Sequence, residues 1–261
     1  MVDAGAAGLV VDWERRGKRR RQVGVDTQIN THTPAQLAAV RAATTGRLLC
    51  RVNRWGRWSP AEIDLAASLG ADEVLLPLVR RLEEVDAALD VVDGRCRLGI
   101  LVETTDAVAR VDDLVRRPLS RVYVGLNDLM IDRGASCLFG ALVDGTVDRV
   151  ADVTRGRHIP FGVAGLTVPE GGRPVPSPLL AGALARLGAS FTFLRRSFHH
   201  DTAGRDLAVE VPRILAVVEE AGRRPAERVD ADHAELAAAA GLLGGSRTVE
   251  AVTGASPSEA V

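Results

Sequence analysis

Short apolar runs alternate with longer amphipathic runs along most of the chain. Seven of the short runs read as strands, at 8–13, 48–53, 73–78, 97–103, 121–127, 160–165 and 190–196. Most are apolar throughout, the mark of strands buried on both faces. Between them the spacing predicts helices over 33–43, 59–70, 79–92, 107–115, 139–153, 178–187 and 208–221. Thr33 and Ser59 stand as N-caps, each followed by proline, and Glu62 falls at capping-box spacing from Ser59. Strand–helix alternation of this kind predicts a parallel α/β fold. A closed (β/α)8 barrel needs eight strands, so the first strand is missing or atypical here. A doubly wound sheet competes, but no early GxGxxG turn supports it.

The domain expectation is one barrel over 1–222, then a C-terminal helical extension over 223–261 with a small, polar tail expected to be disordered. Length and composition agree: 261 residues, 46% hydrophobic, enough for a sizeable core. A net charge of -1 gives no support for bulk attraction to nucleic acid or a polybasic membrane anchor. No segment is long and apolar enough to span a bilayer, and no signal peptide is visible. Cys50, Cys96 and Cys137 have no CxxC partner, which suggests reduced, buried spectator thiols in a cytoplasmic protein. The basic run Arg15 to Arg21 reads as a solvated loop or an anion site.

In a β/α barrel the site lies at the C-terminal ends of the strands. There the sequence places Asp12 and Glu14, then Arg51 and Asn53, then Glu103, then Asn127 and Asp128. Glu103 and Asp128 are hard oxygen ligands suited to a divalent ion, Mg²⁺ or Mn²⁺. Arg51 suits a substrate carboxylate, held bidentately. The set fits a 2-oxo acid whose enolate a metal stabilises. The alternative for such acids is helix capping, open to Asp106, Asp132 and Asp128. His32 reads as a surface-loop histidine, with entry into the site as the alternative. The long Gly/Pro loop 165–178 is either a lid or an ordinary connection, and Trp55 and Trp58 wall a pocket or fill an interface.

The segments GLVVDWERRGK, LLCRVN, GADEVLLPLV, GILVETTDAV and VYVGLNDLMIDRG, in this order, resemble the HpcH/HpaI aldolase and citrate lyase β-subunit family of phosphoenolpyruvate/pyruvate-binding TIM barrels. The resemblance implies a metal-dependent carbon–carbon lyase acting on a 2-oxo acid or its aldol adduct. It implies Glu103 and Asp128 as ligands of Mg²⁺, Mn²⁺ or Co²⁺, and Arg51 as the substrate-carboxylate arginine. Asp12 and Glu14 match its acidic D-x-E, and the backbone at Gly125, Leu126 and Asn127 would lie against substrate. Homo-oligomers, trimers or hexamers, are implied as well. Two departures stand out: Arg15 occupies the place of a proton-handling histidine, and Leu101 that of a glutamine. A citryl- or malyl-CoA-type lyase or thioesterase taking an acyl-CoA, and a non-catalytic scaffolding barrel, are the competing functions.

Overall fold

The computed structural model describes residues 1–18 and 32–244. Seven parallel strands lie side by side in chain order: β1 (Gly8–Asp12), β2 (Arg47–Arg51), β3 (Glu73–Leu76), β4 (Arg97–Val102), β5 (Arg121–Val124), β6 (Phe161–Leu166) and β7 (Phe191–Leu194). The order never reverses, so the chain has no switch point and the doubly wound alternative is excluded. The sheet curls into an incomplete barrel. Among the described residues β1 and β7 form its two edges.

Helices return the chain between strands: α1 (Pro34–Ala43), α2 (Ser59–Ser68), α3 (Leu82–Val92), the pair α4 (Thr105–Ala109) and α5 (Val111–Leu114), α6 (Leu126–Asp132), α7 (Gly140–Val143) and α8 (Thr146–Arg155), α9 (Ser177–Arg186) and α10 (Ser197–Asp201). Two longer helices follow, α11 (Leu207–Gly222) and α12 (Ala226–Gly244). The latter lies on its own barrel, where Leu236 and Ala240 are buried and the Cys137 thiol donates to the Ala240 carbonyl at 3.3 Å. The tail call beyond Gly244 falls outside the described residues.

Strand alternation sorts the side chains. Leu48, Cys50, Val74, Leu76, Ile100, Val102, Val122 and Val124 face the helices and join the main core. Leu49, Leu75, Leu101 and Tyr123 face inward, packed with Val10, Phe191 and Phe193. Full burial of each such leucine contributes about 1.5–3 kcal/mol. Below this layer Glu73 and Arg121 pair, Nε–Oε1 at 2.5 Å and Nη2–Oε2 at 2.7 Å. Gly99 leaves room for them: a Cβ there would lie 2.8 Å from Glu73 Oε1.

Several local expectations change. Ser59 is not a cap but the first helical residue; its hydroxyl accepts from the Gly56 N–H at 2.9 Å. Glu62 turns outward from the capping box to bind Asn53. The expected helices over 107–115 and 139–153 are each broken, at Arg110 and at Gly145, whose φ of 83° ends one helix and starts the next. Strand β5 ends at Val124, three residues earlier than expected, because a helix begins at Leu126. Asp106 and Asp132 are not N-caps: Thr104 caps α4, and Asp132 closes α6, where it accepts from the Thr105 N–H at 2.8 Å. Cys50 is buried as expected, but Cys96 and Cys137 are only half-buried.

Candidate functional site

Six charged groups gather at the C-terminal mouth of the barrel. Asp12 and Arg51 end neighbouring strands and face each other in register. Arg51 donates to both Asp12 oxygens, from Nε at 2.9 Å and from Nη2 at 2.7 Å. Its Nη1 stands 3.6 Å from Glu14 Oε2. The sixth member is Lys18, from the basic run expected to be a solvated loop or an anion site. Only 1% of Lys18 is exposed. Its ammonium donates to Glu14 Oε2 at 3.0 Å and lies 3.5 Å from Asp12 Oδ2. The one available signal was its i+4 spacing from Glu14. Arg19 to Arg21 of that run lie outside the described residues.

Burial works to raise the Asp12 pKa, but Arg51, and after it Lys18, more than reverse this and hold the carboxyl below its usual range. Likewise Asp12 overrides burial and holds Arg51 above its ordinary basicity.

The segment after β1 is fastened by Asn53. Its Oδ1 accepts the N–H groups of Arg15 at 2.8 Å and Arg16 at 2.7 Å, while its Nδ2 donates to Glu62 at 2.8 Å. Asn53 is thus a support for the D-x-E turn. His32 is not a plain surface residue: its Nδ1 accepts the Asp12 N–H at 3.0 Å. Trp58 lies under the Arg16 guanidinium, 4.5 Å from ring centroid to Cζ.

Glu103 follows β4 and is 3% exposed. Three features hold it. The Leu78 N–H donates to Oε2 at 3.2 Å, from a leucine held at φ 54°, a left-handed backbone that costs energy. Thr104 next to it caps α4 and donates to the Val79 carbonyl at 2.6 Å. Gly125 leaves space for the carboxylate; a Cβ there would lie 2.5 Å from Glu103 Cγ. Burial, then the charges of Asp128 and Glu14, push the Glu103 pKa up to about 8. Asp128 is 7% exposed and sits in the first turn of α6, not at a strand end.

The other expected residues take distinct places. Gly125 backs Glu103. Leu126 is buried in the main core and borders a cavity of about 350 Å³ that none of these acids lines. Asn127 is half-buried, and its Nδ2 has no hydrogen-bond partner among the described residues. The loop 165–178 is a packed connection: Val168 and Val175 are buried, and Glu170 pairs with Arg205 and Arg213, both at 2.8 Å.

A divalent cation suits this donor set. Glu103 is a buried carboxyl whose ionisation two neighbouring acids oppose, so a cation would relieve a cost already present in the fold. Among the described residues no three His, Cys, Asp or Glu converge as a ready cage. Two carboxylates with water and substrate completing the shell are the usual magnesium arrangement. No helix among the described residues is long and apolar enough to cross a membrane.

No protein-family profile and no curated protein matches the chain. Solved structures do. An HpcH/HpaI aldolase from Desulfitobacterium hafniense DCB-2 superposes with a TM-score of 0.56 at 15% identity, covering 86% of each chain. A citrate lyase from Burkholderia xenovorans LB400 gives 0.57 at 14% identity, covering 90% of this chain and 82% of that one. The citrate synthase SbnG gives 0.56 at 18%, covering 85% and 87%. At these identities the likeness establishes a shared barrel fold.

Proposed function

We propose that this chain is a carbon–carbon lyase of the aldolase type, acting on a 2-oxo acid or an aldol adduct through a stabilised enolate. The observation that carries it is the buried pair Glu103 and Asp128 at the barrel mouth beside the Asp12–Arg51–Glu14–Lys18 group. The sequence resemblance and the aldolase and lyase descriptions of barrels that share the fold point the same way. Glu103 and Asp128 would hold Mg²⁺, with Mn²⁺ or Co²⁺ as substitutes. Bound there, the ion would supply Lewis-acid polarisation of the carbonyl and carboxylate oxygens.

The chain's own groups do the rest. Asp12 is fully engaged by Arg51, Lys18 and the Glu14 N–H at 3.1 Å. We assign Glu14, the second acid of the D-x-E turn, to move the proton at the carbon next to the carbonyl. Its Oε2 accepts from the Lys18 ammonium at 3.0 Å, and Arg51 Nη1 stands 3.6 Å away. Gly125 and Leu78 fix Glu103 from opposite sides.

The test is deuterium exchange into the pyruvate methyl group, followed by NMR. The expected result is exchange with Mg²⁺ or Mn²⁺, none with EDTA, and a loss of about hundredfold or more in Glu103→Gln. Equal exchange in Glu103→Gln and the parent overturns the proposal. No exchange despite bound metal would point to a thioester substrate. Neither exchange nor metal binding would point to a non-catalytic barrel.

A further inference from the structure

Lys18 is a buried cation at the mouth to which the chemistry above gives no step. The chain delivers it by a tight turn. The Lys18 N–H donates to the Arg15 carbonyl at 3.2 Å, and Gly17 between them takes a φ of 75°, the left-handed backbone such a turn asks of its third residue. Asn53 holds the base of the turn through the Arg15 and Arg16 N–H groups. The lysine is thereby folded back onto the two acids before it. Its ammonium donates to Glu14 Oε2 at 3.0 Å and stands 3.5 Å from Asp12 Oδ2.

Arg51 serves the same two acids but differs in exposure. Its side chain is 19% exposed, against 4% for Asp12 and 1% each for Glu14 and Lys18. Within this group an anion arriving from solvent meets Arg51 first, and Lys18 is too enclosed to meet it at all. One edge of the guanidinium, Nε and Nη2, is taken by Asp12. The outer edge, Nη1 with the second N–H of Nη2, makes no hydrogen bond among the described residues and has the fork geometry a carboxylate fits. Glu14 competes for that edge: its Oε2 lies 3.6 Å from Nη1, just beyond hydrogen-bond length. The same oxygen is the one that accepts from Lys18.

We propose that Lys18 is a positioning residue: it draws Glu14 off Arg51 and so keeps the outer edge of that guanidinium open to the carboxylate of a 2-oxo acid. It also gives the group a second positive charge, so that the incoming carboxylate does not become a third anion against a single cation. The substrate named here rests on the aldolase function proposed above. Lys18 and Glu14 then act on binding as one unit, and their effect passes through Arg51.

The test is a double-variant cycle read on binding. Pyruvate is titrated by calorimetry, with Mg²⁺, into the full chain for the parent, Lys18→Met, Lys18→Arg, Glu14→Gln and Lys18→Met combined with Glu14→Gln. KM and kcat for deuterium exchange are measured in parallel where Glu14 is kept, and melting curves check folding. Lys18→Met should weaken pyruvate binding about tenfold or more and raise KM with it, changing kcat less. Lys18→Arg, which keeps the charge, should stay within about threefold of the parent. Glu14→Gln removes the competing charge and should not weaken binding, and in that background Lys18→Met should no longer matter. Unchanged binding in Lys18→Met overturns the proposal. So does equal weakening in both backgrounds, or weakening by Glu14→Gln alone, since either would make the lysine a support of the turn only. Should Lys18→Met fail to fold, the combined variant, which loses the acid along with its counter-ion, is compared with Glu14→Gln, and weaker binding in the combined variant overturns the proposal. A parent with neither pyruvate binding nor exchange removes the aldolase function and this inference with it; exchange in the parent with an unchanged KM in Lys18→Met removes the inference alone.

Discussion

At the N-terminal end of the barrel interior, Glu73 is 0% exposed and meets Arg121 through two hydrogen bonds, with Ser120 donating to the same carboxylate at 2.7 Å. At the C-terminal end, Glu103 is just as deeply buried but has acids for neighbours and a single backbone N–H for support. One end has settled its charge within the chain. Under the proposed function the other would be completed from outside. A barrel gains nothing in stability from the second arrangement, which is why the proposal puts the chemistry there.

The comparison breaks most visibly at the closed end. Arg121→Met strands Glu73 in the interior and should cost about 3–5 kcal/mol. Adding Glu73→Leu should recover most of that, because an apolar pair of similar volume is tolerated where a lone charge is not. Denaturant unfolding reads both. Pyruvate exchange should survive in the double variant, since the pair touches nothing at the mouth.

At the open end, pH gives the next largest effect. The Glu103 pKa stands at about 8 in the folded chain against 4.5 when unfolded. Between those values the folded state holds a proton that the unfolded state has lost. Stability in EDTA is therefore greatest below about pH 4.5 as far as this group is concerned, and falls as pH rises to about 8. The loss is on the order of 2–4 kcal/mol, and Glu103→Gln should flatten it. Added Mg²⁺ should raise the melting temperature more at pH 8 than at pH 6. A parent whose stability in EDTA is as flat as that of Glu103→Gln would show that burial, with the charges of Asp128 and Glu14, does not raise the Glu103 pKa.

Two glycines sharpen the contrast. Gly99 at the closed end and Gly125 at the open end each leave space for a carboxylate. Alanine at either position should cost about 1–3 kcal/mol by overpacking. Only Gly125→Ala should also cut metal-dependent exchange, by about tenfold or more, because it displaces Glu103. Equal loss of exchange in both variants would mean that the barrel deforms as a whole.

All seven strands were legible because buried parallel strands are short, apolar and bounded by helices with clear N-terminal signals. Asp12, Glu14, Arg51 and Glu103 were legible for a related reason: a residue just past a strand has only one face of the barrel to meet. Asp128 was placed at the right mouth on the wrong element, since the apolar run hides the point where β5 gives way to a helix. Lys18 was missed because a basic run reads as a solvated loop or an anion site, and only the fold brings Asp12, Glu14 and Arg51 round it. Asn53 as a support depends on contacts between segments far apart in the chain, which no local pattern encodes.

A shared interaction at the two ends gives the smallest effect. Arg121 lies 4.7 Å over Phe191 inside the barrel, and Arg16 lies 4.5 Å over Trp58 at the half-exposed rim. A cation over an aromatic ring contributes about 0.5–1 kcal/mol where water reaches it and about 2 kcal/mol where it does not. Trp58→Ala should therefore cost under about 1 kcal/mol for the stack and change exchange less than about twofold, because Asn53 still holds the Arg15 and Arg16 N–H groups. Phe191→Leu should cost more, since it loses a buried stack together with packing against Tyr123 and Phe193. Denaturant midpoints with exchange rates measured in parallel decide it. If Trp58→Ala instead reduced exchange as strongly as Gly125→Ala, the D-x-E turn would be held by its aromatic rim, and Asn53 would lose the supporting role its hydrogen bonds assign to it.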